Sequence, residues 1–172
     1  MGLAPTTSTT MMIGLGDAMA VALMERRGFN EDDYRVFHPG GQLGRGLLRV
    51  SSLMHSGRMI PLVKPADAMS EAILVMTRRG FGCVGVVDET GLLIGIVTDG
   101  DLRRHMGPNL MGARVDAVMT KNPMTIAPDE LAAKALSIMN NDQRRITALL
   151  VVEDAKPVGI VSVHDLLRAG VM

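Results

Sequence analysis

Two short motifs carry most of the chemistry open to this sequence. Thr98-x-x-Asp101 and Ser162-x-x-Asp165 each follow a β-rich run, within Gly95-Ile96-Val97-Thr98-Asp99-Gly100-Asp101 and Gly159-Ile160-Val161-Ser162-Val163-His164-Asp165. A hydroxyl three residues before a carboxylate is a capping-box pattern, in which each side chain satisfies a backbone N–H beside the other. A strand end feeding a helix start also gathers backbone N–H groups, a hydroxyl and a carboxylate at one cleft. The helix start favours an anion such as phosphate. The carboxylate can accept the hydroxyls of a ribose diol, as acidic residues do at other nucleotide sites. Arg103, Arg104 and Arg168 lie one turn beyond, and Arg144 and Arg145 precede a predicted strand. Arginine suits phosphate because its planar fork donates in pairs. The plainer reading of these cations is a solvated face, or charges that complement helix C-termini.

Other candidates are weaker. His164 falls inside the second motif and reads as a surface side chain, while His55 and His105 have no evident partner. Four His and one Cys at these spacings form no recognised metal-ligand pattern, so no metal site is expected. Cys83 opens a predicted strand and reads as a small core residue. Gly40, Gly41, Gly44 and Gly46 mark a tight turn; neither a Walker loop nor a dinucleotide fingerprint is present. The Thr/Ser run at residues 6–10 reads either as a disordered tail or as a sugar-phosphate pocket lining.

The elements that hold the two motifs are repeated. Gly95 to Arg104 aligns with Gly159 to Arg168, and Leu53-Met54 aligns with Val118-Met119. Between them, Met69, Ala72, Ile73 and Met76 pair with Ala132, Ala135, Leu136 and Met139 at helical spacing. Each copy reads as β-α-β-β-α. A helical turn ends in Met54 or Met119, and an extended piece covers Ile60–Val63 or Met124–Ile126. Asp67 or Asp129 stands as an expected N-cap. Gly80 is the expected C-cap of the first amphipathic helix, while its counterpart frays into Asn140-Asn141-Asp142. Hairpins follow: Cys83–Val87 with Leu92–Val97, and Ala148–Val152 with Val158–Val161 across Glu153–Pro157. One copy has a small sheet with one apolar face, so two copies must close a core together about a pseudo-twofold. Met69, Met76 and Met139 are core positions by spacing.

Residues 1–49 lie outside the repeat. Asp17–Arg27 reads as a helix capped by Gly28, apolar all round from Ala18 to Met24, which marks a helix meant for burial. Asn30 and Asp33 stand in capping positions for a second helix running to Phe37. The chain reads as opening inside a larger domain.

Composition excludes several classes. The 172 residues carry 18 Lys+Arg and 18 Asp+Glu, which argues against a general nucleic-acid or anionic-membrane binder. With 47% hydrophobic and 21% charged residues, this is no disordered chain. No uninterrupted apolar stretch is long enough to span a bilayer; Met11–Met24 contains Asp17 and two glycines. No basic segment precedes an apolar core as in a secretory signal. A cytoplasmic globular protein is the expectation. Fifteen Met and 2% aromatics point to an adaptable core.

The Gly-apolar-apolar-Ser/Thr-x-x-Asp motif after the last strand of each copy resembles a cystathionine-β-synthase (CBS) domain. The N-terminal stretch, from Gly2 to Thr10 through Gly16-Asp17-Ala18 to His38-Pro39-Gly40-Gly41-Gln42-Leu43-Gly44-Arg45, resembles the end of a sugar isomerase (SIS) domain. That order is similar to the arabinose-5-phosphate isomerases. The resemblance implies an α/β fold: a tandem CBS pair, residues 50–108 and 112–172, preceded by a helical SIS remnant, residues 1–49. It implies a parent enzyme that interconverts D-ribulose 5-phosphate and D-arabinose 5-phosphate for Kdo synthesis. His38 would be catalytic there, in the context of a full SIS domain. The upstream catalytic groups are absent from this sequence, so the chain alone is expected to be inactive. CBS resemblance further implies a nucleotide ligand (AMP, ATP or CMP-Kdo-like) at Thr98, Asp101, Ser162 and Asp165, with Arg104, Arg168 and Arg145 near it. It also implies a homodimer or higher oligomer. Two alternatives stay open: a stand-alone adenine-nucleotide sensor, and a purely structural dimerisation module.

Overall fold

The computed structural model describes residues 5–30, 33, 47–140 and 146–171. The chain divides into two compact units, residues 1–44 and 45–172.

The first unit is dominated by helix α1 (Thr6–Arg26). It is longer than the sequence predicts, because the Thr/Ser run forms its first turns rather than a tail. Thr9 and Thr10 hydroxyls donate back to the Thr6 carbonyl at 2.9 Å, which lets these polar residues remain helical. The expected stop holds. Gly28 takes φ 64°, and the N–H groups of Gly28 and Phe29 return to the Glu25 and Met24 carbonyls at 3.0 Å. That is a Schellman closure. Asn30 and Asp33 exchange backbone-to-side-chain hydrogen bonds at 3.0 and 3.1 Å, as the capping reading expects. The helical extension also changes one sequence expectation. By length and a mean hydropathy of 1.2, α1 passes the test for a helix able to cross a membrane, Asp17 notwithstanding. Core helices of soluble proteins are as long and apolar but mostly buried, whereas α1, which the sequence marks for burial, has no buried residue.

The second unit holds two four-stranded sheets. One contains β2 (Leu62–Val63), β3 (Cys83–Val87), β4 (Leu93–Thr98) and β5 (Thr120–Lys121), in that order. The other runs β1 (His55–Ser56), β8 (Lys156–Ser162), β7 (Ala148–Glu153), β6 (Thr125–Ile126). Helices α2 (Met69–Arg79) and α5 (Ala132–Met139) bury the predicted faces, with Met69, Met76 and Met139 in the core. Short helices α3 (Asp99–Arg104), α4 (Val115–Val118) and α6 (Val163–Arg168) complete the unit.

The structural halves are not the sequence copies. β1 comes from the first copy yet pairs with β8 of the second, and β5 comes from the second yet pairs with β4 of the first. The helical turns before these strands are exchanged too. Val50 belongs to the core around Ile126, Leu136 and Leu166, while Val115 and Val118 belong to the core around Val63, Met69 and Val97. Matching backbone bonds secure both exchanges. Val50 N–H donates to Glu130 O and Val115 N–H to Asp67 O, at 2.9 and 3.0 Å. Ala132 N–H donates to Leu48 O at 2.7 Å, and Met69 N–H to Ala113 O at 2.9 Å. These bonds explain why neither Asp67 nor Asp129 caps a helix as expected. The residues before α2 and α5 are Ala68 and Leu131, and the exchanged segments satisfy the helix starts. Asp67 instead closes a turn by accepting from Lys64 N–H at 2.7 Å.

A third apolar cluster, Cys83, Ala148, Leu150 and Ile160, joins the two sheets. The pseudo-twofold is broken here. A Cβ at Gly85 would lie 2.9 Å from Leu150 Cδ1, so a large residue in one copy fills the space left by the small residue at its counterpart. The second hairpin is tighter than expected. Glu153 pairs with Lys156, leaving Asp154 and Ala155 as a two-residue turn with φ 50° and 61°. Pro157 is tolerated in β8 because β1 pairs only with Ile160 and Gly159.

Candidate functional site

Both motifs form complete capping boxes at strand-to-helix junctions. Asp101 Oδ2 accepts from Thr98 N–H at 2.8 Å and from the Thr98 hydroxyl at 2.6 Å. Asp165 Oδ2 accepts from Ser162 N–H at 3.1 Å and from the Ser162 hydroxyl at 2.5 Å. In return Thr98 Oγ1 and Ser162 Oγ accept the backbone N–H groups of Asp101 and Asp165 at 3.3 and 3.2 Å. These contacts are local and follow from the three-residue spacing.

The second carboxylate oxygen of each motif is met from the opposite copy. Thr120 on β5 donates its hydroxyl to Asp101 Oδ1 at 2.8 Å. His55 on β1 places Nε2 3.2 Å from Asp165 Oδ1. Thr120 and His55 are the site residues that sequence reasoning missed. His55 has a partner after all, and so does His105, whose Nδ1 lies 3.0 Å from the Asp101 carbonyl oxygen. One signal was available. Gly95 and Gly159 sit inside strands, where glycine marks a close approach. A Cβ at Gly95 would fall 2.6 Å from Met119 Sδ, and one at Gly159 would strike Met54 Sδ. The methionines preceding β5 and β1 lie over these glycines and lead the exchanged strands past the motifs.

The clefts differ electrostatically. Arg104 also donates to Asp101 Oδ1, and Asp101 is only 2% exposed. Burial pulls the Asp101 carboxyl towards protonation. The bonds from Thr98, Thr120 and Arg104 outweigh it and hold the group below the usual carboxylate range. Asp165 is held low in the same way, burial opposing and Ser162 and His55 prevailing. Arg168, at the place corresponding to Arg104, is exposed and makes no hydrogen bond or ion pair among the described residues. His164 is exposed as expected. Cys83 is buried, and burial followed by the neighbouring Asp99 charge pushes its thiol up to about 12, so it is a core residue and no nucleophile. Both α3 and α6 span six residues, so their dipoles contribute less to anion binding than the sequence reading supposed. His38, Arg144, Arg145 and the glycines at 40, 41, 44 and 46 lie outside the described residues.

The model of the CBS domain matches residues 50–107 and 115–171. The chain belongs to the CBS-domain family. The exchanged pair of sheets is therefore a CBS pair. Over its whole length the chain is also related to arabinose 5-phosphate isomerases. The enzyme KdsD of Yersinia pestis is 47% identical over 175 residues, which cover 100% of this chain and 53% of that protein. KdsD of Pseudomonas aeruginosa is 48% identical over 176 residues, again 100% and 53%. The chain thus spans about half the length of these relatives. Solved structures agree on the CBS-pair fold. An uncharacterized conserved protein from Pyrococcus horikoshii matches with TM-score 0.62 and 28% identity, over 73% of this chain and 93% of that one. CBSX2, solved in complex with AMP, matches with TM-score 0.60 and 22% identity, over 71% and 95%. The CBS pair of MJ0100, solved with 5-methylthioadenosine and S-adenosyl-L-methionine, matches with TM-score 0.62 and 24% identity, over 71% and 94%.

Proposed function

We propose that this CBS pair is the regulatory and assembly portion of a cytoplasmic D-arabinose-5-phosphate isomerase that supplies the Kdo precursor. The observation that carries this reading is the identity to KdsD across the full chain, residues 1–49 included. On this reading residues 1–49 end an SIS domain. His38 then serves aldose–ketose isomerisation, which needs a base to move a proton between neighbouring carbons and a polar group to stabilise the enediolate. The chain by itself is inactive, and the pair brings copies of the enzyme together.

The ligand of the pair is a nucleotide. The CBS pairs of CBSX2 and MJ0100, with adenosine compounds bound, support this. So does the placement of a hydroxyl and an ionised carboxylate at each strand end. Such a ligand regulates only as far as its affinity differs between two arrangements of the pair.

Thermal unfolding of the chain with AMP, ADP, ATP, CMP, CMP-Kdo or arabinose 5-phosphate tests the reading. A ligand at 100 times its dissociation constant adds about 2.7 kcal/mol. A selective upward shift with one nucleotide supports a regulatory site. No shift with any of the six, in a protein that runs as a dimer, leaves the purely structural module, which the self-satisfied carboxylate of Asp101 favours.

A further inference from the structure

We propose that the two clefts are unequal, with Arg104 and Thr120 acting as the internal ligand of Asp101, so that the chain binds one nucleotide, at Asp165. This rests on the nucleotide reading above and says which cleft serves it.

An ionised carboxylate offers about four lone-pair sites. At Asp101 all four are taken: Oδ2 by the Thr98 N–H and hydroxyl, Oδ1 by the Thr120 hydroxyl and Arg104 Nη2. At Asp165 three are taken: Oδ2 by the Ser162 N–H and hydroxyl, Oδ1 by His55 alone. The side chain of Asp101 is 3% exposed and that of Asp165 is 18% exposed. A ribose diol fills the open place at Asp165 and competes with His55, itself 38% exposed, for the other. At Asp101 it would have to displace the Thr120 hydroxyl and the Arg104 cation together.

The walls differ in the same sense. His55 lies against Phe81, ring centroids 5.3 Å apart at 58°. The positions that correspond in sequence to His55 and Phe81 are Thr120 and Ile146, which have no ring. Among the described residues the one pair of packed rings, His55 with Phe81, therefore accompanies the open carboxylate, where a base can stack. Arg168, with no partner among the described residues, remains available to a phosphate, whereas Arg104 is committed to Asp101.

Equilibrium dialysis of the chain against radiolabelled AMP decides it, with circular dichroism to confirm folding of each variant. The wild type should bind one AMP per chain. Asp165→Asn should weaken that binding at least tenfold, and His55→Thr, which copies the wall of the other cleft, should weaken it less. Arg104→Ala combined with Thr120→Val should raise the count to two. Two AMP per wild-type chain overturns the proposal, as does a single AMP that survives Asp165→Asn. A count that stays at one in the double variant overturns the internal-ligand assignment. No AMP bound by any folded variant, nor any shift in the thermal-unfolding panel, overturns the nucleotide reading itself.

Discussion

His55 Nε2 stands 3.2 Å from Asp165 Oδ1, and the two residues come from different copies of the repeat. Thr120 on Asp101 is the counterpart, at 2.8 Å. Each capping carboxylate therefore fixes its own helix with one oxygen and grips the opposite copy with the other. Local structure and the joining of the copies share one functional group.

That sharing predicts unequal mutational costs. Asp101→Ala removes the acceptor of the part-buried Thr98 N–H and hydroxyl, and of the Thr120 hydroxyl, which water can reach; a fully buried group left unsatisfied costs about 1–3 kcal/mol. We expect urea unfolding to show a loss of roughly 2–3 kcal/mol, against about 1–2 kcal/mol for the more exposed Asp165→Ala, mainly a lost cap. Equal losses would contradict the difference between the clefts.

Acid stability follows from the same carboxyls. Both are held below the ordinary 3.8 in the folded chain, so the unfolded chain binds protons first as pH falls. Their stabilisation is present above about pH 4 and is lost as pH drops through the lowered folded values. Urea midpoints measured from pH 6 downward should fall less steeply in Asp101→Asn than in the wild type.

At alkaline pH the sign is opposite for Cys83. Its thiol is raised from 9.0 to about 12, so the unfolded chain loses this proton first. The contribution is full below pH 9 and declines between pH 9 and 12. Cys83→Ala should remove that slope. Ellman's reagent at pH 8 should label the native thiol only at the rate of unfolding.

Gly95→Ala and Gly159→Ala should each destabilise by about 1–3 kcal/mol, because the new methyl overlaps Met119 or Met54 and crowds the Thr120 or His55 carbonyl. Pairing each with its methionine trimmed to Ala should recover part of the loss. A strictly additive double-mutant cycle would show that the methionines do not press on these glycines.

The Asp154-Ala155 turn offers a stabilising change. Ala155 holds φ 61°, a left-handed conformation costing roughly 1–2 kcal/mol for a residue with a Cβ. Ala155→Gly should raise the melting temperature by about 2–4 °C. The Ala155 carbonyl, which accepts Leu93 N–H at 2.9 Å, is a backbone group and should keep that bond.

The parts legible in the sequence were those with local causes. The capping boxes depend on a spacing of three, the buried stripe of α2 on helical periodicity, and the Gly80 cap on a conformation that glycine favours (φ 74°). The destinations of His55 and Thr120 were not legible. β1 and β5 have two residues each, too few for a period to show, and their pairing is decided by contacts across the molecule. The inequality of the clefts was hidden for a related reason. Arg104 and Arg168 occupy matching places in sequence, and only the contacts made across the molecule, with Thr120 at one carboxylate and His55 at the other, set the two clefts apart.

The exchange of β1 and β5 has a consequence for how such a chain can arise. In a lone ancestral copy the sheet edge that an exchanged strand covers here, beside β4 or β8, would stand open. Two such molecules could trade leading strands and satisfy one another. Joining them head to tail yields the arrangement seen here, with Val50 and Val115 in reciprocal places. The pair thus has the geometry of a strand-swapped dimer made permanent by tandem fusion. Once fused, the copies are free to diverge, as the pairs Gly85 with Leu150 and Thr120 with His55 have done.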